Sequence, residues 1–117
     1  MTTLHDVKEQ IKADPDHWRV YLMDFVDDFR YYKDPRMMAE PFAMSDERTD
    51  ALLASTAEAL ADELGLEAPK WLSSVPACHD PYFVSGLENL KAISIVESPL
   101  RFRIRKIFVL ENFLSRV

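Results

Sequence analysis

The stretch Trp18-Arg19-Val20-Tyr21-Leu22-Met23-Asp24-Phe25-Val26-Asp27-Asp28-Phe29-Arg30-Tyr31-Tyr32 decides the fold class. Its large apolar residues, Trp18, Leu22, Phe25, Phe29 and Tyr32, step by four, three, four and three. An α-helix turns once in 3.6 residues, so these side chains fall on one stripe, and Val26 widens it. Asp24, Asp27, Asp28 and Arg30 take the other side. A strand would throw the same residues onto both faces. The stripe serves either as core or as the seam of a homodimer. Its length is too short to specify a coiled coil. With 2 Trp, 4 Tyr and 7 Phe the chain is rich enough in aromatic anchors for either use.

Reading outward, Thr3 is placed to cap a first helix carrying Leu4, Val7 and Ile11 at helical spacing. Asp14-Pro15 ends that helix and begins the next, because proline at a first helical position gives up an N–H that has no partner there. Asp34-Pro35 closes the aromatic helix, and 36–44 reads as an irregular connection interrupted by Pro41. Ser45 is expected to cap a long alanine- and leucine-rich helix, with Leu53, Ala57, Leu60 and Leu64 as its buried edge. Gly65 suits the left-handed residue that stops it.

A long connection follows, with Pro69, Pro76 and Pro81 and the anchors Trp71, Tyr82 and Phe83. A third substantial helix is expected from Leu87 to about Glu97, burying Leu87, Leu90, Ile93 and Val96, and stopped by Pro99. Residues 100–109 fit two patterns. Leu100, Phe102 and Ile104 alternate with Arg101, Arg103 and Arg105 as in a strand, whereas Leu100, Ile104 and Ile107 fit a helical stripe. A strand here needs something to pair with, a second copy or a partner protein, so helical or irregular structure is favoured. A short helix is expected over Leu110 to Arg116. The expected fold is mostly α: a compact single-domain helical bundle of four to five helices over residues 1–117, with a long Pro-containing connection.

Composition bounds function by exclusion. The chain has 117 residues and only two glycines, Gly65 and Gly86, against the glycine-rich loops that cradle phosphates. The single cysteine, Cys78, allows no intrachain disulfide and suits a reducing compartment. No stretch reads as a signal peptide or approaches the roughly 20 apolar residues of a membrane span. A cytoplasmic location away from membranes is expected.

Two constellations and two isolated histidines bear on chemistry. Asp24, Asp27 and Asp28 lie along one helix side, and a hard-metal site needs oxygens converging from several directions, so they are read as solvated acids. Cys78-His79-Asp80 sets a nucleophile type, a base type and an acid side by side, but catalytic partners normally come from separated segments. His5 and His17 come with no motif. No catalytic, cofactor-binding or metal-ligating residue is assigned, and a non-enzymatic protein is expected.

Charge is the remaining signal. Net charge is −6, but residues 1–98 hold 9 Lys/Arg against 19 Asp/Glu, a net −10, whereas 99–117 hold 5 against Glu111 alone, a net +4. The acidic body repels phosphates at long range. The partner-binding candidates are Arg101, Phe102, Arg103, Arg105, Lys106, Ile107 and Phe108. Arginine pairs bidentately with carboxylates, and apolar anchors hold interface centres. Against this stands a purely internal role, in which the arginines neutralise the chain's own acidic helices. A nucleic-acid-binding regulator using the same arginines is the alternative function.

The run from Tyr82 to Ala92, followed by Val96-Glu97-Ser98-Pro99 and Phe102-Arg103-Ile104-Arg105-Lys106-Ile107-Phe108-Val109, resembles a small uncharacterised bacterial family. Members tend to end in Asn-x-Leu-Ser-Arg, matched by Asn112 to Arg116, and often carry Asn where this chain has Lys106. The resemblance is close only in the C-terminal third. Such proteins look like partners encoded beside nucleotidyltransferase-type toxins. The resemblance therefore implies an antitoxin-like or regulatory partner and carries over no catalytic residue. Arginines covering a metal-binding carboxylate site would be electrostatically apt.

Overall fold

Helix α1 (Leu4–Ala13) begins in a reciprocal cap: the Thr3 hydroxyl accepts from Asp6 N at 3.1 Å, and the Asp6 carboxylate accepts from Thr3 N at 3.3 Å. A 3-10 turn at Pro15–His17 leads into α2 (Trp18–Tyr32), which ends on Lys33 in the left-handed conformation. The computed structural model describes residues 1–115. After a second 3-10 turn at Pro35–Met38, the chain enters α3 (Glu47–Leu64). Its N-cap is Asp46 and not Ser45. Ser45 instead gives its backbone N–H to the Asp50 carboxylate at 2.8 Å. Gly65 closes α3 with φ +67°, and Leu66 N returns to Ala61 O at 2.8 Å, satisfying a last-turn carbonyl.

Helix α3 is central. Every residue from Asp50 to Glu58 is buried, so the helix is enclosed on all sides rather than along the expected edge alone. It packs on α1, α2 and a short helix α5 (Leu100–Arg103). Leu22, Phe25, Val26 and Phe29 of α2 are fully buried, with the Phe25 and Phe29 rings stacked at 5.9 Å. Each such side chain contributes roughly 1.5–3 kcal/mol by leaving water. The two ends of the stripe differ: Trp18 is half-buried and Tyr32 is exposed. The stripe is core over its central two turns.

The long connection is ordered by its anchors. Trp71 packs edge-on against Phe42 at 5.2 Å and donates its Nε1–H to Met38 O at 2.8 Å. The same connection supplies β1 (Tyr82–Phe83), which pairs in parallel with β2 (Ile107–Phe108), Tyr82 opposite Ile107 and Phe83 opposite Phe108. Tyr82 N donates to Lys106 O at 2.8 Å and Val84 N to Phe108 O at 3.2 Å. The expectation of helix or irregular structure across 100–109 is thus corrected in its second half. The strand needs no second copy, because the chain carries its own partner 25 positions earlier. Lys106, left-handed at φ +60°, turns the chain from the end of α5 into β2.

Helix α4 (Lys91–Glu97) is preceded by a 3-10 turn at Glu88–Leu90, so the helix begins later than Leu87. Glu111–Leu114 form turns and no helix, and Arg116 lies outside the described residues. The radius of gyration, 13.3 Å, matches the roughly 13 Å of one folded unit this long. The chain is a mostly α single domain, with one two-stranded sheet among the described residues. No helix among them is long and apolar enough to cross a membrane.

Candidate functional site

The basic segment divides once it is folded. Arg101 and Arg105, four positions apart, face Glu58 and Asp62, four positions apart on α3. Arg105 is buried. Its Nη1 pairs with Glu58, Nη2 donates to Leu72 O at 2.8 Å, and Nε donates to Val75 O at 3.2 Å. Arg101 grips Asp62 with two bonds of 2.8 and 3.2 Å and comes within 3.8 Å of Glu58. The Asp62 carboxylate holds the Arg101 guanidinium even more firmly protonated than usual. Both arginines are engaged by the chain's own acids.

Three expected partner-binding residues are therefore corrected. Phe102, Arg105 and Ile107 sit in the interior, out of reach of another molecule. Phe102 meets the edge of Phe113 at 5.9 Å, and Arg105 has all its charge and three of its donors satisfied internally. Phe108 is half-buried and stacks on Phe83 at 5.1 Å. Arg103 and Lys106 remain exposed. Among the described residues neither has a carboxylate at ion-pair distance, and Lys106 reaches only the His79 carbonyl, at 3.3 Å. A nucleic-acid surface drawn from the whole arginine cluster loses two of its cations to α3.

Around α4 and α5 the structure exposes large apolar residues, some of which the sequence pattern buries. Leu87, Ile93, Ile95, Val96, Leu100 and Ile104 are between 48% and 79% exposed. The expected burial of Leu87, Ile93 and Val96 is overturned, and Leu90 is only half-buried. Helix α4 instead turns its serines inward. Ser94 and Ser98 are buried, and the Ser98 hydroxyl accepts from Val109 N at 2.8 Å beyond the end of β2. Small serines let α4 approach β2 closely, which leaves its β-branched residues on the outside. Ser94 Oγ is buried without a hydrogen-bond partner among the described residues, a cost of about 1–3 kcal/mol. This helix buries the wrong side for a face meant only for water.

The remaining constellations scatter. Cys78 is buried and its thiol is pushed up, first by that burial and then by Glu47, while His79 and Asp80 beside it are exposed. Asp28 accepts from Thr2 N at 3.0 Å. His17 pairs with Asp14 at 2.9 Å, and His5 lies 3.9 Å from Glu40. Among the described residues no three of His, Cys, Asp and Glu are grouped to hold a metal ion.

The helical pattern of 87–97 does not reveal this exposure, because it places Leu87, Ile93 and Val96 on a buried face. The available signal is Ser94 and the C-cap Ser98, one helical turn apart and both small enough for close packing. Compared with known proteins, the chain matches no family model, no curated protein and no solved structure.

Proposed function

We propose that this chain is a non-enzymatic protein-interaction domain that engages a co-encoded partner through the outward side of α4 and α5. The observation that carries this reading is the exposure of Ile93 and Val96 on α4 and of Leu100 and Ile104 around α5, whose exposed Arg103 and the following Lys106 have no ion-pair partner among the described residues. Large exposed apolar groups rimmed by polar ones are characteristic of protein contacts, and a core of such groups with arginine at its border is how interfaces concentrate their energy. Arg103 and Lys106 would pair with carboxylates bordering an apolar patch on the matching surface.

The C-terminal resemblance supplies the partner class: a nucleotidyltransferase-type toxin, with this chain as its antitoxin-like or regulatory subunit. Metal-binding carboxylates would give such a partner the acidic rim that Arg103 and Lys106 require. The test is co-purification of the untagged chain with the products of its neighbouring genes, followed by the same experiment with Val96→Ser and Ile93→Ser. A stoichiometric complex that the substitutions weaken supports the reading. A complex indifferent to them moves the interface elsewhere, and a chain that purifies alone removes the reading.

A further inference from the structure

A second feature lies apart from the α4–α5 side. A cleft of about 200 Å³ opens between the α1–α2 connection and the first turns of α3. Its lining is graded. Leu22, Leu52 and Leu53 are buried, Trp18 and Tyr82 are half-buried aromatic rings, and Asp46 and Arg48 are exposed.

The two charges are the informative part. Asp46 and Arg48 line the same cleft with opposite signs, yet they do not pair with each other. Among the described residues neither has an ion-pair partner elsewhere. Arg48 lies over the Tyr82 ring at 4.8 Å, and the Asp46 carboxylate accepts from the Thr49 hydroxyl at 2.5 Å. An apolar cavity of about 150 Å³ accommodates benzene, whereas drug-sized ligands occupy about 300 Å³ or more. The cleft therefore has room for a benzene-sized or branched aliphatic body and a small head group. A head group meeting both mouth charges must carry both signs.

We propose that this cleft binds a free L-amino acid with a large apolar side chain, of the size of phenylalanine or leucine. The side chain enters between Trp18 and Tyr82 above the buried leucines. The α-carboxylate meets the Arg48 guanidinium and the α-ammonium meets the Asp46 carboxylate. None of the residues lining the site belongs to the protein-interaction surface.

Titration of the full chain with L-phenylalanine and L-leucine, followed by NMR of the leucine methyls, tests this. Saturable shifts are expected at Leu22 and Leu53. Arg48→Ala and Asp46→Ala should each weaken binding about tenfold, close to 1.4 kcal/mol for a lost charge-assisted contact. Phenylalaninamide, which lacks the carboxylate, and 3-phenylpropionate, which lacks the ammonium, should bind the unaltered chain about tenfold more weakly. Arg48→Ala should then no longer distinguish phenylalanine from its amide. No saturable shift up to about 10 mM of either amino acid overturns the proposal, since that is weaker than any useful affinity. So does equal binding of all three phenyl compounds, which would make the cleft a nonselective apolar groove.

Discussion

Arg105 and Glu58, 47 residues apart in sequence, meet as a buried ion pair that ties the C-terminal segment to the middle of α3. The two remaining guanidinium nitrogens bond the carbonyls of Leu72 and Val75, so one side chain joins three segments. Taking such charges out of water is costly, and the pair is tolerated because each guanidinium nitrogen finds an acceptor.

That arrangement makes the pair far more sensitive to losing one member than to losing both. Glu58→Ala strands a buried cation and should destabilise the domain by about 3–5 kcal/mol. Combining Glu58→Leu with Arg105→Met removes both charges and should cost at least about 1 kcal/mol less than Glu58→Ala alone. Denaturant midpoints of the variants check this. A double variant that loses as much as Glu58→Ala, or more, would show that the two charges are not coupled.

The aromatic stripe of α2 should divide energetically as it divides spatially. Phe25→Ala opens a cavity among fully buried neighbours and should cost about 3–5 kcal/mol. Tyr32→Ala, at an exposed end, should stay within about 0.5 kcal/mol. A large loss for Tyr32→Ala, dependent on protein concentration, would instead reveal a dimer seam.

Gly65 should tolerate no ordinary side chain without cost. A Cβ there meets nothing within 4 Å, so the penalty is conformational, arising from φ +67°. Gly65→Ala should lower stability by about 1–2 kcal/mol, and Gly65→Asn by less, because asparagine adopts the left-handed region more readily. Thermal melts of the pair separate this from a packing effect, which would rank the larger residue worse.

Asp14 has a depressed carboxyl pKa, chiefly because the Tyr21 hydroxyl donates to it at 2.7 Å, and secondly because of His17. A carboxylate depressed in the folded state contributes stability above its unfolded value, near 3.8, and that contribution is lost as pH falls through the lower folded value. Tyr21→Phe should therefore reduce stability at neutral pH and flatten the fall on acidification below about pH 4. Unfolding midpoints measured across that range read it; parallel curves for the two proteins would refute it.

Cys78 should behave as a buried structural thiol. Burial raises its pKa, and the thiolate is the reactive form. A thiol-reactive chromophore at pH 8 should label it only as fast as the domain opens. Rapid, complete labelling of the native protein would contradict its placement.

Much of the fold was legible because its signals are local. Thr3 and Asp6 cap α1, Asp14-Pro15 separates two helices and Gly65 ends α3, each through chemistry confined to one turn. The candidate site was much less legible. Residues 100–109 carry both a strand and a helix pattern, and the structure uses both: helix to Arg103, strand from Ile107. Which half takes which form depends on Tyr82 and Phe83, whose backbone groups lie far away in sequence. Likewise, nothing local distinguishes Arg103 from Arg105. One faces solvent and the other faces Glu58 only after α5 has docked on α3.

By itself the sequence determined the helical class, the positions of the main breaks and the segregation of charge, since periodicity, caps and composition act within a few residues. Only the tertiary structure decided which arginines are spent internally, where β2 finds its partner and that α4 turns its serines inward and its isoleucines out. Those outcomes depend on what each face meets across the interior. A helix with apolar residues on several sides can satisfy its own pattern in more than one orientation, and the close approach of Ser94 and Ser98 to the strand layer selects one of them.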